Sequence, residues 1–199
     1  ATTEIYTLSL HDALRSGPGC SSVIGLLGEC GPFFAGPDGK SLLRNPWSWN
    51  RNANTLFLES PAGVGFSYSD TESDYVMGDA QTAKDNRQFL LNWFSNFSEY
   101  SKNEFYITGE SYAGHYIPTL TMEILQGNQN PAEKINLVGI AVGNGLTDQY
   151  TDFNSVVPMT FWHGLFSIQA WDQIQTDCKG DYVTNNSPAC QVALSTATP

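Results

Sequence analysis

The sequence predicts an α/β fold: a mostly parallel sheet with helices on both faces. Three observations carry that reading. Short apolar runs bounded by polar residues, Gly or Pro recur as strand candidates at residues 54–59, 104–108 and 135–142. Between them lie two stretches of helical periodicity, and strand, helix, strand, helix, strand is the order from which a parallel sheet is built. The third run, ILE-ASN-LEU-VAL-GLY-ILE-ALA-VAL, is almost continuously apolar, as expected of a strand covered on both faces.

Each element has a local reason. Residues 16–46 are dense in Gly and Pro and read as loops with a short element or two. The run 54–59 ends at Pro61 and leads into the loop 61–65. From about residue 79 to 100, Ala80, Ala83, Phe89, Leu90, Trp93, Phe94 and Phe97 recur at helical spacing, with Lys84, Asp85, Arg87 and Gln88 on the other face. The strand 104–108 stops at Gly109, and a second helix is expected over 116–125, with Pro118 tolerated in its first turn. From residue 151 the chain reads as helical, then irregular around Cys178 and Cys190.

Composition narrows the function. The 199 residues are 41% hydrophobic, enough for one sizeable core, and only 15% charged, which excludes disordered and coiled-coil classes. A formal charge of -11 repels phosphate backbones and acidic headgroups, so neither nucleic acid nor a membrane surface is an expected partner. No apolar run approaches the roughly 18 residues of a spanning helix. Cys20, Cys30, Cys178 and Cys190 lack the paired spacing of a zinc site, and neither metal nor cofactor is expected. Sequons at Asn96 and Asn185, with two cysteines twelve apart in a Gly/Asn/Ser-rich stretch, fit an oxidising secretory compartment and mark both asparagines as glycosylation candidates. Such short strings also arise by chance. The first residues lack the basic start and apolar stretch of a secretory leader.

The chemistry centres on Gly109-Glu110-Ser111-Tyr112-Ala113-Gly114. A serine on a sharp turn between strand and helix has a strained backbone and needs small neighbours, here Gly109 and Ala113. Such a nucleophile elbow exposes the Ser111 hydroxyl, turns the N–H of Tyr112 towards a developing oxyanion and adds the positive end of the following helix.

Further motifs make a resemblance specific. Residues 17–22 (GPGCSS), 45–50 (NPWSWN), 59–68 (ESPAGVGFSY), 109–118 and 143–145 (GNG), in this order, resemble the serine carboxypeptidases, exopeptidases of the α/β-hydrolase fold that release C-terminal residues at acidic pH. The resemblance covers residues 17–190. It implies Ser111 as nucleophile and the N–H groups of Gly17 and Tyr112 as the oxyanion hole. Glu110 would bind the substrate's terminal carboxylate, with Glu29 in the same hydrogen-bonded network; alone, Glu29 reads as a solvated loop carboxylate. Because two adjacent carboxylates cannot both ionise cheaply, Glu110 would act as a proton-bearing donor, hence an acidic working range. The resemblance also pairs Cys178 with Cys190 in an inserted helical and loop region beginning near residue 151. In the family Cys20 pairs with a cysteine far downstream; Cys30 is a buried thiol or a substitute partner for Cys20.

The chain departs from the family in two ways. Arg15-Ser16 stands where the family has Asn-Gly, and residues 7–14 resemble a translated adapter remnant rather than the family's apolar strand; residues 1–15 are therefore left out of the fold reading as a segment of doubtful origin. Beyond Ser111 the histidines are His115, in the elbow helix, and His163, which would need Asp148 or Asp152 as orienter. The family's catalytic Asp and His come later. The chain thus reads as the N-terminal portion of a secreted, vacuolar or lysosomal carboxypeptidase, truncated before its C-terminal strands and completed by the missing C-terminal half, acting on peptides with a free C-terminus. The alternatives are an acyltransferase or lyase with the same triad, and a non-catalytic binding fragment.

Overall fold

The structure, a computed structural model, describes residues 5–10 and 19–197. Its chain divides into two compact units, residues 1–146 and 147–199.

In the first unit, strands β1 (Ile5–Leu10), β4 (Ala53–Phe57), β5 (Glu104–Glu110) and β6 (Leu137–Gly143) form a parallel sheet in the order β4-β1-β5-β6. A two-stranded antiparallel ribbon of β2 (Phe33–Ala35) and β3 (Leu42–Arg44) stands apart from it. The expected strands are present with shifted ends. Of the segment left out of the fold reading, residues 5–10 lie in the sheet: their backbone occupies an inner position, in register with β4 on one side and β5 on the other. Alternation of Tyr, Leu and Ser over these residues permits extended pairing whatever the origin of the string.

Helices α2 (Asp79–Asn96) and α3 (Ala113–Gly127) pack against each other and onto the Phe105 and Ile107 face of β5. The core there is Leu90, Phe105, Ile107, Tyr116, Ile117, Leu120 and Ile124, all nearly inaccessible. Helix α2 ends at Asn96, and Ser98–Tyr100 continue as a single 3₁₀ turn. On its expected solvent face, Arg87 instead lies along Gly127 and pairs with Glu133 at 2.8 Å. Helix α3 starts three residues earlier than periodicity predicts, because the tight bonds from Gly114 N–H to Ser111 O (3.0 Å) and from His115 N–H to Tyr112 O (2.9 Å) open it.

Covering of the third strand needs correction. Val138, Ile140 and Val142 on β6 are 50%, 47% and 36% exposed. The connections β4 to β5 and β5 to β6 run in the same direction along the sheet, so right-handed crossovers put α2 and α3 on one face. Only the connection β1 to β4 runs the other way; its helix α1 (Val23–Gly28) packs near β4, at the far end of the sheet from β6.

The second unit contains α4 (Gln149–Trp162), α5 (Ile168–Cys178) and α6 (Pro188–Ala197). The late cysteines are helical rather than irregular: Cys178 ends α5, Cys190 lies in α6, and a disulfide joins them. They share a core with Ile174 and Ala193. Closing so short a loop contributes about 2–4 kcal/mol.

Candidate active site

The sheet hydrogen bonds run one residue past β5: Ser111 N–H donates to Gly143 O at 3.0 Å. There the backbone turns into the left-handed region, with φ of 61° at Ser111, and the next residues start α3. A non-glycine residue in that conformation costs about 1–3 kcal/mol and persists where its surroundings over-determine it. They do so here. The carbonyl of Ser111 accepts N–H groups from both Gly114 (3.0 Å) and Leu146 (2.9 Å). Residues 143–146 pass so close that a Cβ at Gly114 would stand 2.3 Å from Leu146 O. Ala113 is completely buried. The small residue decided by close approach is thus Gly114, beside the two that elbow chemistry anticipated.

Tyr112 follows the serine, and its phenol oxygen is 3.2 Å from each carboxylate oxygen of Asp79, the first residue of α2. Its ring contacts His115 (centroids 4.9 Å apart) and Tyr116 (5.1 Å). Asp79 and its tie to the elbow were not visible in the sequence, where Asp79 reads as an ordinary acidic residue in a first helical turn.

Glu110 and Glu29 line one cavity of about 570 Å³, together with Cys30, Trp47, Trp49 and Gly143. They belong to distant parts of the chain, and Asn45 ties the loop that carries Glu29 to the loop that carries the tryptophans. Only 2% exposed, Asn45 donates from Nδ2 to Glu29 O (3.0 Å) and Gly31 O (2.9 Å), while its Oδ1 accepts the N–H of Trp47 (2.9 Å). A further bond runs from Trp49 N–H to Cys30 O, at 3.0 Å. Gly31 has no room for a side chain, since a Cβ there would lie 1.9 Å from Leu26 O. Glu29 is solvent-exposed, as a loop carboxylate would be, yet it faces the cavity that Glu110 lines. Trp47 (81% exposed) and Trp49 (48%) complete the wall. In the sequence both tryptophans belong to the NPWSWN motif without a role of their own; two indoles flanking a serine in a Pro-containing loop are the signal there. Cavities of about 590 Å³ beside α2 and about 880 Å³ around Arg44 and Arg51 are as large, but neither includes the elbow residues.

Other expected positions fall elsewhere. Gly17 lies outside the described residues. His163 ends α4, its Nδ1 2.8 Å from Met159 O, whereas Asp148 and Asp152 accept N–H bonds from Thr151 (2.7 Å) and Thr147 (2.8 Å) at the opposite end. Along α4 these groups lie 15 and 11 residues from His163, about 22 and 16 Å at 1.5 Å per residue, so neither carboxylate can orient His163. Cys30 is half-buried rather than buried, with its Sγ 3.8 Å from Gly25 O. Asn96 is exposed at the end of α2, while the half-buried Asn185 donates to Cys178 O (3.1 Å) and accepts from Ser187 N–H (3.1 Å). Among the described residues no three His, Cys, Asp or Glu side chains group as a metal site, and no helix is long and apolar enough to cross a membrane.

The profile of the serine carboxypeptidase family matches residues 14–199. Serine carboxypeptidase-like 27 of Arabidopsis thaliana is 49% identical over 189 residues, covering 92% of this chain and 41% of that protein. The lysosomal protective protein of Mus musculus is 47% identical over 181 residues, covering 89% of this chain and 37% of its own. In three dimensions the chain is similar to Kex1(delta)p, a prohormone-processing carboxypeptidase of Saccharomyces cerevisiae, with a TM-score of 0.76 and 26% identity over 98% of this chain and 44% of that one. The chain therefore spans less than half the length of these relatives, and its fold is that of the α/β-hydrolases.

Proposed function

The chain belongs to the serine carboxypeptidase family, and from that premise we propose that it forms the nucleophile-bearing part of an enzyme that releases C-terminal amino acids from peptides through an acyl-enzyme on Ser111. The observation that carries this is the left-handed backbone at Ser111, between the end of β5 and the start of α3.

Ser111 Oγ attacks the carbonyl carbon of the last peptide bond, and its proton passes to a histidine base. That base and the aspartate orienting it lie beyond this chain. As the tetrahedral intermediate forms, its oxyanion meets the N–H groups of Tyr112 and Gly17, with the positive end of the 15-residue α3 behind them. The base returns the proton to the departing amine, the C–N bond breaks, and water then cleaves the ester. Glu110 and Glu29 hold the terminal carboxylate in the cavity walled by Trp47 and Trp49. Two carboxyl groups and a carboxylate in one cavity repel when all are ionised, so the complex forms with an added proton shared between acid and substrate, and binding strengthens as pH falls. Such an enzyme suits a vacuolar, lysosomal or secreted setting, as the name of the mouse relative and the Cys178–Cys190 disulfide suggest.

The test is Ser111→Ala in the full-length enzyme. Turnover should fall by on the order of 10⁶-fold with the fold intact, and labelling by a fluorophosphonate should vanish. Stoichiometric labelling of the variant would remove Ser111 from the chemistry.

A further inference from the structure

Asp79 is a carboxylate that the proposed mechanism leaves unused, and it is bonded to the residue that follows the nucleophile. Topology brings the two together. Helices α2 and α3 connect β4 to β5 and β5 to β6 and pack side by side, so both begin at the edge where those strands end. Asp79 is the first residue of α2, and Tyr112 is the residue before α3. The Tyr112 phenol donates between the two carboxylate oxygens of Asp79, 3.2 Å from each.

The elbow is thereby tied on two sides. Towards β6, the Ser111 carbonyl accepts the N–H groups of Gly114 at 3.0 Å and Leu146 at 2.9 Å. A trans peptide points the N–H of Tyr112 away from that carbonyl, so these bonds aim the N–H from one end. At the other end the Tyr112 carbonyl accepts the N–H of His115, at 2.9 Å, within the first turn of the same helix. None of these bonds reaches α2. The side chain does. Its ring packs on the rings of His115 and Tyr116, with centroids 4.9 and 5.1 Å away, and Tyr116 is only 5% exposed, so the ring rests on a buried neighbour while its hydroxyl crosses to Asp79. An acid in a first helical turn also complements the macrodipole, and Asp79 holds that position whatever Tyr112 does. Charge serves the helix end; an acceptor oxygen serves the tyrosine.

We propose that Asp79 is a positioning residue for the nucleophile elbow: by accepting the Tyr112 phenol it ties the elbow to α2 and holds the Tyr112 N–H where the oxyanion forms. The proposal rests on the reading of Ser111 and Tyr112 given above. Asp79 acts through Tyr112 and not on the substrate. A donor held this way needs no reorganisation during the reaction, which is what makes an oxyanion donor effective.

Tyr112→Phe, which removes one hydroxyl and keeps the ring, tests it in the full-length enzyme beside Asp79→Ala and Asp79→Asn. Expected for Tyr112→Phe and for Asp79→Ala is a fall in kcat of about tenfold with KM within about twofold, because an oxyanion donor acts in the transition state and not on bound substrate. Inactivation by a fluorophosphonate, whose adduct places an oxygen in the same position, should slow in proportion. Combining the two changes should be no worse than the poorer single variant, since both break one link. Asparagine loses the charge but keeps an acceptor oxygen, so Asp79→Asn should retain kcat within about threefold of wild type. Wild-type kcat in Tyr112→Phe, a raised KM at constant kcat, or losses that multiply in the double variant overturn the proposal. So does an Asp79→Asn enzyme as slow as Asp79→Ala, which would assign the effect to charge at the helix end. Should Asp79→Ala not fold, Tyr112→Phe and Asp79→Asn decide by the same criteria. Ser111→Ala measured alongside separates the two levels: if it is inactive while the Asp79 and Tyr112 variants behave as wild type, only the role of Asp79 fails, and if it retains turnover, the nucleophile assignment fails with it.

Discussion

Substituting Gly114 by alanine probes how the elbow is held. The added Cβ would meet Leu146 O at 2.3 Å, Leu146 C at 2.7 Å and Leu146 N at 2.8 Å, all backbone atoms that no side-chain rotation can move. Ordinary van der Waals contact begins near 3.4 Å, so α3 and the 143–146 segment must separate by about 1 Å. That separation pulls on the bond from Leu146 N–H to Ser111 O, now 2.9 Å, which helps hold the left-handed serine. Overpacking of this kind costs about 1–3 kcal/mol, and a weakened backbone hydrogen bond adds about 1 kcal/mol. A displacement of about 1 Å at the nucleophile is worth roughly 10²-fold in rate. Gly114→Ala in the full-length enzyme should therefore lower the urea-derived stability by about 2–4 kcal/mol and slow fluorophosphonate labelling by about 100-fold. Gly28→Ala is the control, because nothing lies within 4 Å of a Cβ there, and it should change stability by less than about 1 kcal/mol. A Gly114→Ala protein that labels at the wild-type rate and unfolds at the wild-type midpoint would refute the close-approach argument.

Three further outcomes are expected. Glu110→Gln should flatten the acidic preference for free-acid substrates, since an amide donates a hydrogen bond at any pH; kcat/KM from pH 4 to 8 for a peptide acid and its C-terminal amide checks this, and an unchanged acid profile would take Glu110 out of carboxylate recognition. Residues 1–199 alone should hydrolyse peptides negligibly, retaining no more than roughly 10³–10⁴-fold over water. Robust release of C-terminal amino acids by that chain would place the base within it. The Arg87 hydrogen bond and charge hold the Glu133 carboxyl below its ordinary value of 4.5. A depressed carboxyl contributes stability that is present above its unfolded value and is lost as pH falls through the folded one. The difference in melting temperature between wild type and Glu133→Gln should accordingly be full at pH 6, narrow below pH 4.5 and be absent at pH 2; a pH-independent difference would mean that the ion pair is not its source.

Much was legible in the residues themselves because it depends on local periodicity and on backbone chemistry. The runs at 104–108 and 135–142 could only be strands in a chain whose intervening segments are helical, and a serine at a strand end followed by Tyr-Ala-Gly and a helical pattern already specifies an elbow. The family resemblance, rather than spacing, implied the Cys178–Cys190 pair, and the disulfide joins these residues. Other features arise from contacts between distant segments, which periodicity cannot report. Residues 5–10 enter the sheet because parallel pairing asks only for extended backbone with neighbours on both sides, not for a familiar sequence. The bare face of β6 follows from strand order, which sets the side on which each crossover helix must lie. Glu29 and Glu110 line one cavity through tertiary placement alone, and buried Asn45, which ties the Glu29 loop to its own by two hydrogen bonds, looks in sequence like any loop asparagine. His163 is parted from Asp148 and Asp152 by the rise of the helix that joins them, a separation that exists only once the residues between are helical.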